Sequence, residues 1–591
     1  MSISVTRVFD LLKYNQEKFS KEEFISGKIN GEWVKYSTQK FCEITDHLSK
    51  GLTTLGIKKG SRVAIMSTNR PEWNIGDYAI MQLGAYQIPL YPTLAEHDIK
   101  FIVEDAEITV VFVGDKQLYE KISKVIAEVK QEVKVYTFDK VAGASHWEEL
   151  LEEGKKTEVN LDAYRNEVTP DDILTLIYTS GTTGTPKGVM LTHDNLVQNF
   201  KKSAVLLPDG VAHGLSFLPL SHIFERMISY LYAYLNISIY YAESMDTIVA
   251  DIQSVKPTVF STVPRLLEKV YDKIIEKGKA LTGIKKMIFF WSLSLAEKYD
   301  TDKGWWYTFK LGIARKLVFK KWQEALGGNI QVIISGGAAL NPRLARVFWA
   351  AGLPVFEGYG LTETSPVISV NYFYAIKFGS VGKPIEGVEV KIAQDGEILV
   401  KGHNIMKGYY NKPELTDEAI DKDGFFHTGD IGELTNGYLK ITDRKKEMFK
   451  TAGGKYVAPQ MIENKIKEAP LIEQIMVLGE NRKFPAALVV PNFETLKGWC
   501  KVKGIEYGSN ETVIENKEVQ EKFHRLIDES NKEFGKWEQI KQFALLPKEW
   551  SIDGGELTPK LSLKRKVILE KNKEIIEKIY TDAENYHPDA K

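Results

Sequence analysis

Three observations place this chain in the α/β class. Over residues 1 to about 170, amphipathic helical stretches alternate with short apolar runs, the rhythm of a parallel, doubly wound sheet. From Gly387 the hydrophobic period drops to two, with Asp-Gly and Asn-Gly turns between the runs, which predicts a small antiparallel, barrel-like unit. After Asp443, strand-like runs mix with charged helices, as expected of a smaller α/β domain with a core of its own. The predicted organisation is a large N-terminal domain over 1–442 and a small C-terminal domain over 443–591. At 591 residues one core would not suffice, and two to four structural units are expected.

The elements follow in order. Phe41 to Leu52 is amphipathic at helical spacing, and Arg62–Ser67 and Val110–Val113 read as strands. Ile173-Leu-Thr-Leu-Ile-Tyr178 is another buried-strand run, and it delivers Thr-Ser-Gly-Thr-Thr-Gly-Thr-Pro-Lys-Gly-Val189. Gly181 and Gly184 let the backbone approach a ligand, and turned N–H groups make an anion nest. Thr179, Ser180, Thr182 and Thr183 add hydroxyl donors, and Lys187 adds positive charge. Such a loop suits a polyphosphate. It is not a Walker A loop, because Pro186 precedes Lys187 and Gly188 stands where that motif needs Ser or Thr.

Gln331–Ser335 predicts a strand and Gly336-Gly337 a close-approach turn. Asn341 and Pro342 suit an N-cap and first helical position, and Gly352 closes that helix. Pro354–Glu357 is the next strand, running into Gly358-Tyr-Gly-Leu-Thr-Glu-Thr364. A right-handed crossover makes the two strands parallel, so both glycine turns lie on the rim where open α/β sheets bind ligands. On that rim Glu357, Gly358 and Gly360 are counted as nucleotide-binding. Tyr359 can cover a base, Thr362 can donate to a phosphate, and Glu363 can hold a hard cation such as Mg²⁺.

The 178–189 stretch closely resembles the phosphate-binding signature of the AMP-forming, adenylate-forming enzymes: acyl-CoA synthetases, luciferases and peptide-synthetase adenylation domains. The resemblance runs from about residue 30 to 575, with the motifs in the family's order. Leu218-Pro-Leu-Ser-His-Ile-Phe-Glu-Arg226 and Val263-Pro-Arg-Leu-Leu-Glu-Lys-Val270 are similar to segments bordering the acyl pocket of long-chain acyl-CoA synthetases. His222 is assigned to the acyl side on that basis, and the Gly336-Gly337 turn is counted with it. The aspartate matching Asp430, in Thr428-Gly-Asp430, accepts from ribose hydroxyls in the family. Asp443-Arg-Lys-Lys-Glu-Met448 matches its interdomain boundary, which implies Arg444 near the nucleotide and Lys446 as the hinge. In Leu557-Thr-Pro-Lys-Leu-Ser-Leu-Lys-Arg-Lys-Val567, Lys564 is the choice for the family's catalytic lysine, with Arg565 and Lys566 as rivals. Leu563 stands before it where most of the superfamily has glycine. Just past the hinge, Lys450 with Gly453 and Gly454 is expected to meet coenzyme A, since glycines allow close approach and lysine meets a phosphate.

The resemblance implies ATP-dependent thioester formation in two steps. A fatty carboxylate attacks the α-phosphate of Mg-ATP, with Lys564, Thr182 and Glu363 as the catalytic residues, and the thiol of coenzyme A then displaces AMP. The residue inventory agrees. A carboxylic acid is already ionised at neutral pH and needs no general base, so the step asks for positioning and for cationic and N–H donors. Cys42 and Cys500 lie outside all of these loops, so the sulfur nucleophile is external. A lysine that serves one step and then admits a thiol implies a C-terminal domain that reorients between steps. The competing readings are an adenylating enzyme for another acid or acceptor, and a fatty-acid binding protein without turnover.

Composition sets the bounds. A net charge of −1 argues against a nucleic-acid partner, and two distant cysteines exclude a disulfide framework. No signal-peptide core opens the chain, and its most apolar run, Met227 to Ala242, is too short to span a bilayer, so a cytoplasmic enzyme is expected. Residues 264–325 carry fourteen Lys/Arg against seven Asp/Glu, together with Trp291, Trp305, Trp306 and Trp322. Aromatics beside lysines suit an interface, each base being worth about 1 kcal/mol near an anionic surface. Peripheral, salt-sensitive contact with a bilayer is therefore expected. The oligomeric state is left open.

Overall fold

The architecture is that of a computed structural model, which describes residues 4–29, 31–180, 186–244, 246–551, 554–558 and 563–585. Two compact units form. The first comprises Met1–Lys391, Leu399–Thr428 and Thr435–Leu439; the second comprises Ile392–Ile398, Gly429–Leu434 and Lys440–Lys591.

In the first unit Arg62–Met66, Tyr86–Leu90, Val110–Val113 and Lys134–Thr137 pair in parallel within an eight-stranded sheet. Val110–Val113 is buried at every position, as a strand covered by helices on both faces must be. β1 (Ile173–Ser180) joins the same sheet, parallel to Tyr86–Leu90. β2 (Pro186–Thr192) runs back antiparallel to β1, with Thr179 opposite Lys187 and Ser180 opposite Pro186. The glycine-rich loop therefore joins two strands of a hairpin, where a Walker loop would lead into a helix. Its residues Gly181, Thr182, Thr183, Gly184 and Thr185 lie outside the described residues, as does the Ser180 side chain.

The second sheet of this unit has nine strands. α1 (Ile223–Tyr234) precedes β3 (Val259–Thr262), and a helical stretch including α2 (Gly283–Ala296) and α3 (Trp305–Ala314) leads to β4 (Val332–Ser335). The expected crossover follows through α4 (Pro342–Ala350) to β5 (Val355–Gly360). Asn341 caps α4, its side chain accepting from the Arg343 N–H at 2.8 Å, and Gly352 closes it at φ 77°. β3, β4 and β5 are parallel, with Thr262, Ser335 and Glu357 in register. The Gly336 turn consequently leaves the rim beside β5, but β5 runs on through Gly358 and Gly360 where the sequence predicts a turn, because Gly358, Tyr359 and Gly360 pair antiparallel with Val367–Val370. α2 and α3 send Phe289, Leu293, Leu311 and Ala314 into the core beneath this sheet. Trp322 is buried there too, so it does not belong to the interfacial aromatics expected of 264–325.

The period-two stretch is observed from Val388 to Ile392, whose side chains alternate between buried and exposed before the chain turns at Gly396. Glu397–Gly402, Phe426–Thr435 and Tyr438–Arg444 complete a four-stranded sheet. Asn436 and Gly437 both take positive φ, 54° and 78°, the demand of a two-residue hairpin turn.

The second unit has its own three-stranded sheet, Ile472–Leu478, Ala486–Pro491 and Gln542–Leu545. Strand alternation divides it cleanly. Val477, Ala487 and Val489 pack with Leu496, Phe523 and Ile527, while Met476, Leu488 and Val490 pack with Trp550, Ile568 and Ile576. Among the described residues, no helix of either unit is long and apolar enough to cross a membrane.

Candidate nucleotide and acyl site

The rim of β5 is built from backbone outward. Gly360 is glycine because a Cβ there would lie 1.7 Å from the Pro366 carbonyl oxygen, whereas the nearest atom to a Cβ on Gly358 is 3.7 Å away. Packing therefore dictates Gly360, whereas Gly358, inside β5 opposite Val370, meets its neighbours only at ordinary contact distance. Tyr359 and Thr362 are both largely buried. Glu357 is buried as well, and its Oε1 accepts from the Leu340 N–H at 3.1 Å, tying β5 to the turn that begins at Gly336. Burial pushes this carboxyl up to about 8.

A raised carboxyl has a fixed sign. The native state keeps the Glu357 proton up to about pH 8, whereas the unfolded chain releases it near the ordinary carboxylate range. Native protein binds the extra proton in that window, so stability falls as pH rises through it. Glu357→Gln keeps an oxygen for Leu340 and removes the titration. The urea midpoint of the variant should decline less between pH 5 and 8 than that of the wild type; parallel declines would show that Glu357 is not the group responsible.

Glu363 follows on the same rim, half-buried. Its Oε1 accepts from the Tyr409 hydroxyl at 3.0 Å, and its backbone oxygen accepts from the Met406 N–H at 2.8 Å. Lys187, on β2, sets its Nζ 5.1 Å from the centre of the same Tyr409 ring. One tyrosine thus brings together the cation at the end of the glycine-rich hairpin and the anion after β5. Sequence reading missed Tyr409: it stands 46 residues from Glu363 in a stretch with no motif, and nothing local distinguishes it. Among the described residues Glu363 Oε2 has no hydrogen-bond partner, and no cluster of three or more metal-type ligands occurs. That donor set does not suit a caged ion. It suits Mg²⁺ carried on a polyphosphate, which takes one or two carboxylates and fills its shell with phosphate and water.

Of the residues expected on the acyl side, His222 caps α1, its Nδ1 accepting from the Phe224 N–H at 3.1 Å. Phe224 lies against the second glycine turn, 3.2 Å from where a Gly336 Cβ would stand. His222 and Gly336 are therefore linked through a phenylalanine that sequence reasoning passed over. Gly337 takes φ 81°, with nothing within 4 Å of a Cβ. The last two residues of the segment point elsewhere. Arg226 is fully buried against Asp77, Tyr230 and Thr175, and its contact with Thr175 Oγ1 (2.7 Å) fastens α1 to β1. Glu225 is buried beside Ser261, which donates to it, and burial pushes its carboxyl up to about 7. The two charges are scaffold.

The second unit holds the remaining candidates. Asp430 is buried and pairs with Arg444, Nε to Oδ1 at 3.3 Å. Lys445 reaches Asp395 and Glu397, while Lys446 is exposed. Lys450 and Tyr456 face each other across a short hairpin, Nζ 4.7 Å from the ring centre. Gly454 turns it at φ 75° with nothing near a Cβ, and Gly453 is almost as open. Lys564 is exposed at the start of the helix Arg565–Lys571. Arg565 is different: it binds Glu447 at 3.0 Å and Glu463 at 2.7 Å and is mostly buried. It is occupied, which leaves Lys564 and Lys566 as the exposed cations of the triplet.

Residues 12–410 match the model of the AMP-binding enzyme family, and residues 447–584 match that of the AMP-binding enzyme C-terminal domain. The chain belongs to this family. Among curated proteins it is 35% identical over 569 residues to the long-chain-fatty-acid–CoA ligase FadD15 of Mycobacterium bovis, covering 93% of each chain. It is 33% identical over 594 residues to long-chain-fatty-acid–CoA ligase 1 of Cavia porcellus, covering 93% of this chain and 82% of that one. Among solved structures, the adenylation domain of a carboxylate reductase from Mycobacterium chelonae superposes with a TM-score of 0.77 at 22% identity, over 97% and 91% of the two chains. The fatty acyl CoA synthetase of Mycobacterium tuberculosis superposes with a TM-score of 0.62 at 21% identity, over 96% and 98%. These likenesses carry the adenylate-forming fold: parallel sheets in a large part, an antiparallel half-barrel sheet and a smaller C-terminal domain.

Proposed function

We propose that this protein joins a long-chain fatty acid to coenzyme A at the expense of ATP, through an acyl-adenylate, with release of AMP and pyrophosphate. The curated relatives support the reaction class. The observation that carries it to named residues is the Lys187–Tyr409–Glu363 arrangement, a cation and an oriented carboxylate on either side of one tyrosine. Lys187 meets polyphosphate charge, with the hydroxyls and N–H groups of Thr179 to Gly184 as further donors. Glu363 holds the metal that ATP brings, and Tyr409 keeps that carboxylate aimed. When bound, Mg²⁺ neutralises phosphate charge. Thr362, Gly358 and Gly360 serve the nucleotide, Tyr359 its base, and Asp430 with Arg444 its ribose and phosphate. His222, Phe224 and the Gly336-Gly337 turn border the acid. Lys564 offsets the charge that develops when the acid attacks, and it is the catalytic lysine.

The domain boundary near 443–448, with Lys446 as the hinge, is part of the same reading, and so is a meeting with the acid at a lipid surface. Release of pyrophosphate that requires both ATP and a long-chain acid, followed by acyl-CoA on addition of coenzyme A, is the decisive assay. Pyrophosphate release that no fatty acid stimulates would refute the reading. A panel of free acids then fixes chain length.

Lys450 and the Gly453-Gly454 turn are assigned to the coenzyme. Lys450→Glu should raise the KM for coenzyme A by about tenfold, the loss of one charge-assisted contact, and leave the KM for ATP alone. Steady-state kinetics with each substrate varied checks this, and an unchanged KM for coenzyme A takes Lys450 out of the site.

A further inference from the structure

Away from the site, α2 and α3 leave large apolar side chains in water. The two helices form a hairpin, joined where the Tyr307 hydroxyl donates to the Leu295 carbonyl at 2.8 Å. Both bury one face in the same core, so both turn the opposite face outward. On α2 that face carries Ile284 and Met287, 70% and 66% exposed, and then Trp291. On α3 it carries Trp305, Trp306 and Phe309, 78%, 53% and 56% exposed. Trp306 stacks on Phe309 at 5.6 Å, and Lys310 lies 5.2 Å over the Trp306 ring. Aromatics ordered against each other and against a lysine, with no protein cover, mark an interaction surface.

Charge selects the partner. Residues 283–321 hold nine Lys/Arg and three Asp/Glu. Two of the acids, Glu297 and Asp300, are engaged by Arg343 and Arg346 of α4. Lys285, Lys303 and Lys310 have no ion-pair partner among the described residues. A second copy meeting this face about a two-fold axis would set these positive charges against themselves. An anionic lipid surface complements both features: tryptophans belong at the interfacial level and lysines at the headgroup phosphates.

We infer that the outer face of the α2–α3 hairpin docks the protein peripherally on anionic bilayers. The inference rests on the fatty-acid reading above, since a long-chain acid partitions into the bilayer and docking brings the enzyme to it. It narrows the 264–325 segment to two stripes whose side chains are free to enter an interface.

Co-sedimentation with phosphatidylcholine vesicles, with and without phosphatidylglycerol, at low and high salt, tests it. Wild type should pellet with the phosphatidylglycerol vesicles at low salt and be released by high salt. The triple variants Trp305→Ser/Trp306→Ser/Phe309→Ser and Lys285→Glu/Lys303→Glu/Lys310→Glu should each partition at least about tenfold less. Both should still form acyl-CoA from a shorter, water-soluble acid, which reports folding. Wild type that stays in the supernatant, or pellets equally with neutral vesicles, overturns the inference. So does either variant pelleting like wild type, or a wild-type dimer that the aromatic variant dissociates without any vesicle binding. Normal turnover without docking would remove this surface and leave the reaction standing; docking without turnover on any acid would do the reverse.

Discussion

Glu363→Gln should slow acyl-adenylate formation by about 10² to 10³, the usual effect of removing one group that meets charge in a preorganised site. The substitution isolates the charge. A glutamine oxygen can still accept from the Tyr409 hydroxyl, which lies 3.0 Å from the present carboxylate, and the backbone bond to Met406 is untouched. Folding should therefore be preserved, with a melting temperature close to that of the wild type. What is lost is the negative oxygen that a hard cation requires, since a neutral amide oxygen is a weaker ligand. ATP–pyrophosphate exchange against Mg²⁺ concentration reads the effect directly. The variant should need more Mg²⁺ and still fall short at saturation. Wild-type exchange at ordinary Mg²⁺ would remove Glu363 from the metal site.

The second large effect should fall on one half-reaction only. Lys564→Ala should reduce acyl-AMP formation by about 10² or more, through loss of a cation placed where charge develops. It should still convert supplied acyl-AMP to acyl-CoA. Lys446→Pro, which restricts the backbone at the proposed hinge, should show the opposite bias. The two half-reactions measured separately on both variants decide the matter. Equal loss of both steps in both variants would contradict a domain that alternates between two poses.

Much of the fold is legible in the sequence, because its signals are local. Asn341, Pro342 and Gly352 mark a helix by capping chemistry alone, and Asn436-Gly437 marks a hairpin because two successive positive φ angles need those residues. Period two from Val388 to Ile392 needs only a pleated strand with one covered face. What stayed hidden depended on partners far along the chain. Glu225 and Arg226 look like site charges in their segment, yet their environment is set by Ser261 and by Asp77, 149 residues away. That packing also requires glycine at 360 shows only once the Pro366 carbonyl is placed against it. A glycine and threonine turn does not announce whether a helix or a strand follows, so the hairpin of β1 and β2 was not foreseen. The Lys564-Arg565-Lys566 triplet was ambiguous for the same reason: only Glu447 and Glu463 single out the arginine.

That arginine has a mechanical consequence. Arg565 adjoins the proposed catalytic lysine, and one of its two anchors, Glu447, adjoins the proposed hinge. The other, Glu463, sits in the helix Pro459–Ile466, so the guanidinium riveted between them closes a short stiff linkage within the unit. If the chain turns at Lys446, such a linkage would pass the angle to Lys564 as displacement more than absorb it as bending. The same rivet couples wear at one end to error at the other. Loosening Arg565 would leave the lysine present and charged but poorly aimed, a fault of alignment in a machine whose parts are all still there.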